Sequence, residues 1–419
     1  MKAMNKNYIP ILAITVLATL MIIGYAIAIR ICPDAIGESN TDTTVADTAP
    51  NSENSPPVTE ETTSPDTTAL PDTTEEPAVP DELTKIEALM SSMTTQELVG
   101  QLFFADPYTA GFDGLNNQYH VGGLVLFANH FANLTKDQII ANISAYQGNS
   151  KIPLLIGVDE EGGSVVRVSL NPALRKSPFL SPRDVFSTGG WDAIDSDARE
   201  KADLLLSLGV NVNLGPVCDL SQNPYDFIYY RAFSGDAEST CTFIEKTVKA
   251  STNKNLGTVL KHFPGYGNNV DTHTGIAYDH RPYSEFLEKD LLPFIRGIES
   301  GADSIMVSHN IVYCMDPTSP ASLSESIHSL IRNDLSFEGV IMTDDLSMSA
   351  ITLYTNGENA AVRAVKCGND MLCTTNIAND YPAVLAAVNS GEITIDRIKE
   401  SVFRILLWKH RLGLLESIE

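Results

Sequence analysis

The sequence predicts an α/β chain folded as a TIM-like (β/α)8 barrel, and three observations lead there. Eight short apolar runs succeed one another: "VGQLFFA", "GGLVLFA", "IPLLIGVD", "GVNVNLGPVCDL", "LGTVLKHF", "ADSIMVSH", "EGVIMTDD" and "NDMLCTT". Helical patterns fall between them, the mark of βα units on a parallel sheet. Five successive runs, the third to the seventh, end in ionisable groups: Asp159, Asp219, Lys261 with His262, His309, and Asp344 with Asp345. In a barrel, the C-terminal strand ends are where an active site is assembled. An open doubly wound sheet is the alternative architecture.

Taken in order, residues 1–37 come first and read as a transmembrane anchor or signal peptide. After Lys2 and Lys6, the segment from Tyr8 to Ile29 holds 22 residues without a charge. About 20 apolar residues suffice to cross a bilayer as a helix. Ala26-Ile27-Ala28 also resembles a cleavage site, so the expectation is a barrel outside the cytoplasm, membrane-anchored or secreted, with the basic flank left inside. A lipoprotein anchor at Cys32 is a third and weaker reading, since Arg30 stands where a lipobox would want a small residue. Residues 38–80 contain ten acidic side chains and no Lys or Arg among repeated Thr, Pro and Ser. Such a segment buries too little apolar surface to offset its chain entropy and reads as a disordered linker.

Residues 81–419 then form the folded barrel. Helices are expected from Thr135 to Gln147, Ser239 to Ala250, Ser284 to Ser300, Ser324 to Leu335 and Asn359 to Lys366. Several begin on an N-cap residue type. A closing amphipathic helix runs from Ile395 to Leu412 with Thr394 as its cap.

Composition removes several function classes. With 53 acidic and 28 basic residues the net charge is −25, and an acidic chain cannot neutralise phosphates, so no nucleic-acid partner is expected. The six cysteines have no C-x-x-C spacing, which argues against a zinc cage or a disulfide framework and for small buried residues. The first run lacks the H-x-H ending of a metal-dependent amidohydrolase barrel, and no metal is expected. Neither a G-x-G-x-x-G after that run nor a P-loop is present, so no cofactor is expected.

Two stretches concentrate the chemistry. In "GVIMTDDLSMS", Asp344 directly follows a buried strand, a rigid position that suits a nucleophile or an electrostatic stabiliser; Asp345 reads as the cap of the next helix. In "KHFPGYGNNVDTHTG", Pro264 and the glycines exclude a helix, so Asp271 and His273 ride on a long, mobile loop after the fifth strand. Residues i and i+2 of an extended segment point the same way, so Asp271 can hydrogen-bond the His273 ring and turn its other nitrogen outward. An exposed loop histidine beside a turn-capping aspartate is the plain alternative. Lys261 and His262 end a buried strand, where an unpaired charge is costly, and should meet a ligand or a carboxylate. Arg167 and Arg231 offer guanidinium forks for hydroxyls or a carboxylate.

These stretches, with "GVDEEGGSVVR" and "RAFSGD", together resemble the β-N-acetylhexosaminidase (NagZ-like) branch of family 3 glycoside hydrolases, over roughly Leu98 to Thr374. The resemblance implies a TIM-like barrel and a retaining, exo-acting attack on terminal β-linked N-acetylglucosamine. It places Asp344 at the nucleophile, His273 at the acid/base and Asp271 at its dyad partner. Asp159, Arg167, Arg231, Lys261 and His262 fall on sugar-binding positions. Most retaining glycosidases use two carboxyl groups about 5 to 5.5 Å apart, and here a histidine replaces one. The expected partner is therefore a carbohydrate, an N-acetylglucosamine-terminated glycan or a muropeptide, met by a monomer that touches the membrane only through its N-terminal segment. A β-glucosidase, a phosphorylase of the same family, or an inactive wall-binding protein are the competing readings. Tyr266 stands where members of the family often carry His, and Thr272 and Thr343 stand at common serine positions.

Overall fold

The computed structural model describes residues 81–112 and 118–416; the predicted anchor and linker, residues 1–80, lie outside them. Ten strands occur among the described residues: β1 Phe103–Ala105, β2 Gly123–Val125, β3 Leu155–Val158, β4 Val212–Asn213, β5 Gly257–Phe263, β6 Tyr278–Asp279, β7 Ser304–Val307, β8 Ile311–Val312, β9 Val340–Thr343 and β10 Leu372–Thr374. Eight of them form one parallel sheet in the order β10-β1-β2-β3-β4-β5-β7-β9, and β6 with β8 forms a separate parallel pair.

The outer strands of that sheet approach each other. Thr343 N–H donates to the Met371 carbonyl and Met371 N–H to that of Ile341, both at 3.1 Å, with a parallel bridge between Met342 and Met371. The result is a nearly closed eight-stranded barrel, and the open doubly wound alternative fails because no strand order reverses. Each of the eight apolar runs contributes one strand. The first run differs in part: Val99, Gly100 and Gln101 belong to the helix Thr95–Gln101, which the capping box of Thr94 and Glu97 starts. This strong helix-start signal outweighs the strand character of the run.

Inside the barrel a layer of Phe104, Leu155, Val259, Met306, Val340 and Met371 is fully or almost fully buried. Phe104 dominates it. A Cβ on Gly157 would lie 2.4 Å from the Phe104 ring and one on Gly123 2.5 Å, so small residues on β2 and β3 make room for one large one on β1. Phe104→Ala should cost about 3–5 kcal/mol. Ile405 and Trp408, from the helix Ile395–Arg411, join the same cluster and close the barrel at the end where the strands begin. Next to them Lys409 is fully buried and donates to Gln101 Oε1 at 2.7 Å.

Around the strands the helices start largely where their caps predict: Thr135, Ser324, Asn359 and Thr394 each accept a backbone N–H of the first turn. Asp236, rather than Ser239, starts the helix Ala237–Thr252. The expected Ser284–Ser300 helix contains a π-turn, Phe286–Asp290, between Tyr283–Glu285 and Leu291–Glu299. The helical stretch Pro182–Leu206 is two helices meeting at a kink, where Gly189 and Gly190 are non-helical, which hides it from periodicity. No helix among the described residues is long and apolar enough to cross a membrane. Cys218, Cys241, Cys367 and Cys373 are buried free thiols.

Candidate active site

The C-terminal strand ends carry a dense set of charges. From β5, Lys261 Nζ reaches Asp159 Oδ1 at 2.7 Å and Glu161 Oε1 at 2.6 Å. Arg231 makes a two-pronged contact with Glu161, at 2.9 and 2.8 Å, and Arg167 lies 3.5 Å from Asp159. Three cations therefore face two carboxylates across the barrel mouth. Burial alone would push the Lys261 ammonium down, but Asp159 and Glu161 outweigh it and its pKa rises. For Glu161 burial pushes up, and Arg231 with Lys261 pulls the carboxyl well below the ordinary range. Taking these groups from water is expensive, and mutual pairing is what permits it.

Exposure separates the two acids. Glu161 is 2% exposed and fully engaged by cations, whereas Asp159 keeps 17% of its side chain open. Asp159 is thus the carboxylate that a ligand can meet, and Glu161 is the counter-charge that fixes Lys261 and Arg231. Arg167 Nε is buried without an acceptor among the described residues, leaving a donor for a ligand hydroxyl. Its backbone is held from below: Glu160, fully buried, accepts the N–H groups of Arg167 at 2.8 Å and Val168 at 2.7 Å and bonds the Ser169 hydroxyl.

Two consecutive residues of β5 reach this floor because the strand is irregular there. Its pairing with β7 shifts register between Leu260 and Phe263, and such a bulge re-aims side chains that would otherwise alternate. The Lys261–His262 peptide is cis. His262 Nδ1 lies 2.7 Å from Asp219 Oδ2, and its Nε2 lies 3.0 Å from Arg231. A guanidinium only donates, so Nε2 accepts and the Nδ1 proton goes to Asp219.

Asp344 follows β9, half-buried, its Oδ1 accepting the Asp345 N–H at 2.8 Å. Burial pushes its carboxyl up, but the His309, His262 and His273 rings and that N–H more than offset this, leaving it below the ordinary aspartate range. A carboxylate held in its ionised form at a strand end suits attack on an electron-poor carbon. Asp345 has the capping role: it accepts from Ser347 N at 2.9 Å and from Thr375 Oγ1 at 3.1 Å. His309 is buried, which lowers its pKa; Nδ1 meets Ser322 Oγ at 2.8 Å and Nε2 the Asp345 carbonyl at 3.0 Å. It braces the turn that presents Asp344.

On the segment after β5, His273 Nδ1 lies 2.6 Å from Asp271 Oδ1, with the His273 ring 59% exposed. Its other nitrogen is free to face a ligand. All eight candidate residues of the sequence thus lie at or above the same strand ends, in two groups: the floor of Asp159, Arg167, Arg231, Lys261 and His262, and the pair Asp271–His273 whose field reaches Asp344. Glu161, Asp219 and His309 complete the arrangement. The i, i+2 relation of Glu161 to Asp159 was the available signal for the first.

A parallel barrel with a charged floor, an ionised aspartate at the end of β9 and a carboxylate–imidazole pair on the loop after β5 defines a hydrolase of the barrel class. Residues 94–407 match the glycosyl hydrolase family 3 N terminal domain, and the chain belongs to that family of glycoside hydrolases. It is 35% identical over 235 residues to the β-hexosaminidase of Xanthomonas campestris pv. campestris (strain B100), covering 55% of this chain and 70% of the relative. With β-hexosaminidase A of Pseudoalteromonas piscicida it shares 29% over 333 residues, 71% of this chain and 54% of that protein. Among solved structures, a family 3 β-N-acetylglucosaminidase from Paenibacillus sp. str. FPU-7 superposes with a TM-score of 0.72 at 28% identity, covering 77% of this chain and 63% of that one. The chain thus spans less than two thirds of the latter two proteins.

Proposed function

We propose that the chain is an exo-acting, retaining β-N-acetylglucosaminidase that works by double displacement. Asp344 attacks the anomeric carbon while His273 gives its proton to the departing oxygen, forming a glycosyl-enzyme. The same imidazole then takes a proton from water as it attacks, releasing the sugar with its β-configuration. Asp271 holds the ring by Nδ1 and stabilises the imidazolium between the two roles. Asp159 and Arg167 grip ring hydroxyls, and Lys261, Arg231 and His262 keep that grip rigid. The observation that carries this reading is the Asp271–His273 contact of 2.6 Å on a loop that the Ala350–Thr272 hydrogen bond ties to the helix beyond Asp344. The β-hexosaminidase names of its relatives support the choice of sugar.

A neutral imidazole, unlike a second carboxylate, does not repel an anionic leaving group, so muropeptide fragments with their lactyl carboxylate are the substrate class we favour. The uncharged segment from Tyr8 to Ile29 would hold the enzyme, as a monomer, on the outer face of the membrane or direct its secretion. The deciding experiment incubates the full chain with a 2-fluoro-sugar bearing a good leaving group and maps the adduct. Attachment to Asp344 supports the mechanism; turnover of the aryl N-acetyl-β-glucosaminide with a label elsewhere, or no turnover, overturns it. Fractionation of intact cells tests the location, and activity recovered only with cytoplasmic markers refutes it.

A further inference from the structure

The segment that carries Asp271 and His273 is not the freely hanging loop its glycines suggest. At its stem, Gly265 has φ +124°, and a Cβ there would lie 2.6 Å from Asp290 Oδ1. Arg281 pins this stem by donating to the Gly265 carbonyl at 3.2 Å while bound to Asp290 at 2.9 Å. One residue on, Tyr266 N–H donates to Asp219 Oδ1 at 2.7 Å, the carboxylate that also holds His262. The Tyr266 ring is 2% exposed, edge-on to His262 at 5.5 Å and beside Phe227 at 5.4 Å.

Its hydroxyl reaches forward six positions. It accepts the Thr272 N–H at 3.0 Å and shares a second, short hydrogen bond with Thr272 Oγ1. Thr272 is fully buried, and its carbonyl accepts the Ala350 N–H at 3.2 Å, from the helix Ser349–Thr355 beyond Asp344. Asp271 to Thr274 form a turn, closed by the Thr274 N–H on the Asp271 carbonyl at 3.0 Å, rather than the extended segment expected from the sequence, and with Thr272 held inward at its middle, Asp271 and His273 stand outward, 28% and 59% exposed. Burial pushes the Tyr266 hydroxyl well above its ordinary pKa, which keeps it a neutral donor and acceptor.

We infer that Tyr266 is a positioning residue for the acid/base pair: its hydroxyl clamps Thr272, and through Thr272 it sets where His273 meets the departing oxygen. The inference rests on the acid/base role proposed for His273. The plainer role, a ring filling the small cluster with Val217, Ile228 and Phe227, would be served as well by phenylalanine. A phenylalanine, however, would leave the buried Thr272 N–H and hydroxyl without their partner, and the clamp would be lost.

The test compares aryl N-acetyl-β-glucosaminides of rising leaving-group pKa on wild type, Tyr266→Phe and His273→Ala, with melting temperatures alongside. Tyr266→Phe should lower kcat/KM on the phenyl glycoside about tenfold or more while changing that of the 2,4-dinitrophenyl glycoside by less than about threefold, because kcat/KM reports the first step and only the former needs a proton donor there. Equal losses on both, or none, overturn the inference. Should Tyr266→Phe not fold, Thr272→Val removes the hydroxyl half of the clamp and reads the same split. If His273→Ala itself shows no leaving-group dependence, the acid/base reading fails; if it does and Tyr266→Phe does not, only the positioning role fails.

Discussion

Lys261 Nζ lies 2.7 Å from Asp159 Oδ1 although 102 positions separate the two residues. Lys261 is buried almost completely, with Glu161 as its second partner at 2.6 Å. Removing one member of a buried charge set leaves the others uncompensated at a cost of about 3–5 kcal/mol. Glu161→Gln should therefore lower stability in urea by that order. Asp159→Asn, at the more open carboxylate, should cost less stability and fall mainly on binding, as a raised KM and a weaker inhibition constant for N-acetylglucosamine. Similar stability losses with unchanged KM would show that Asp159 is structural like Glu161.

Asp344→Ala should reduce kcat by more than about 10⁴-fold, as expected when a nucleophile is removed. The half-buried position implies only a small change in melting temperature. Because the histidines facing it and the Asp345 N–H hold the wild-type carboxyl below the ordinary aspartate range, it stays ionised as pH falls through that range. The acid limb of kcat/KM should thus lie below the usual aspartate value, unless unfolding intervenes, which circular dichroism at the same pH would reveal.

His273→Ala leaves the second step without a base. Azide needs none, so millimolar azide should restore turnover of the 2,4-dinitrophenyl glycoside and yield the β-glycosyl azide. The lost general-base contribution, about 10²–10⁴-fold, bounds the rescue. Absence of the azide product would contradict a glycosyl-enzyme waiting for base-assisted attack.

Lys409 supplies a test of the fold. Burial pushes its ammonium down to about 7, far below an unfolded lysine. Between pH 7 and about 10 the unfolded chain holds a proton that the folded chain has released, so stability rises with pH in that window. The gain is complete above the unfolded value and lost as pH falls through 7. Lys409→Met should flatten this slope, with a difference on the order of a few kcal/mol across the window. Parallel pH profiles for the two proteins would refute the release of that proton.

The strands were legible because parallel strands buried on both faces leave unbroken apolar runs, and the polar residue ending each run announced the barrel mouth. Asp344 was legible for the same reason, as a polar residue just past such a run, whereas Asp271 and His273 were legible as an i, i+2 pair in a glycine-rich loop. The role of Glu161 was not, since in "DEEGG" nothing in the residue types says which acid is sealed by cations and which stays open. Nor could the sequence reveal the β5 irregularity that turns both Lys261 and His262 inward, because register depends on the pairing with β7. The loop after β5 misled in the other direction. Its three glycines suggested freedom, while the contacts that restrain it come from Asp219 and Ala350, remote in sequence, and from Arg281 just past the loop.

The hydrogen bond from Ala350 to Thr272 ties the stretch bearing the imidazole to the helix just past the nucleophilic aspartate. Anyone transplanting a different proton donor onto this scaffold should therefore exchange the exposed tip from position 273 to 276 and leave its root untouched. A graft cut at the glycines would sever the seam that keeps both halves of the reaction in step.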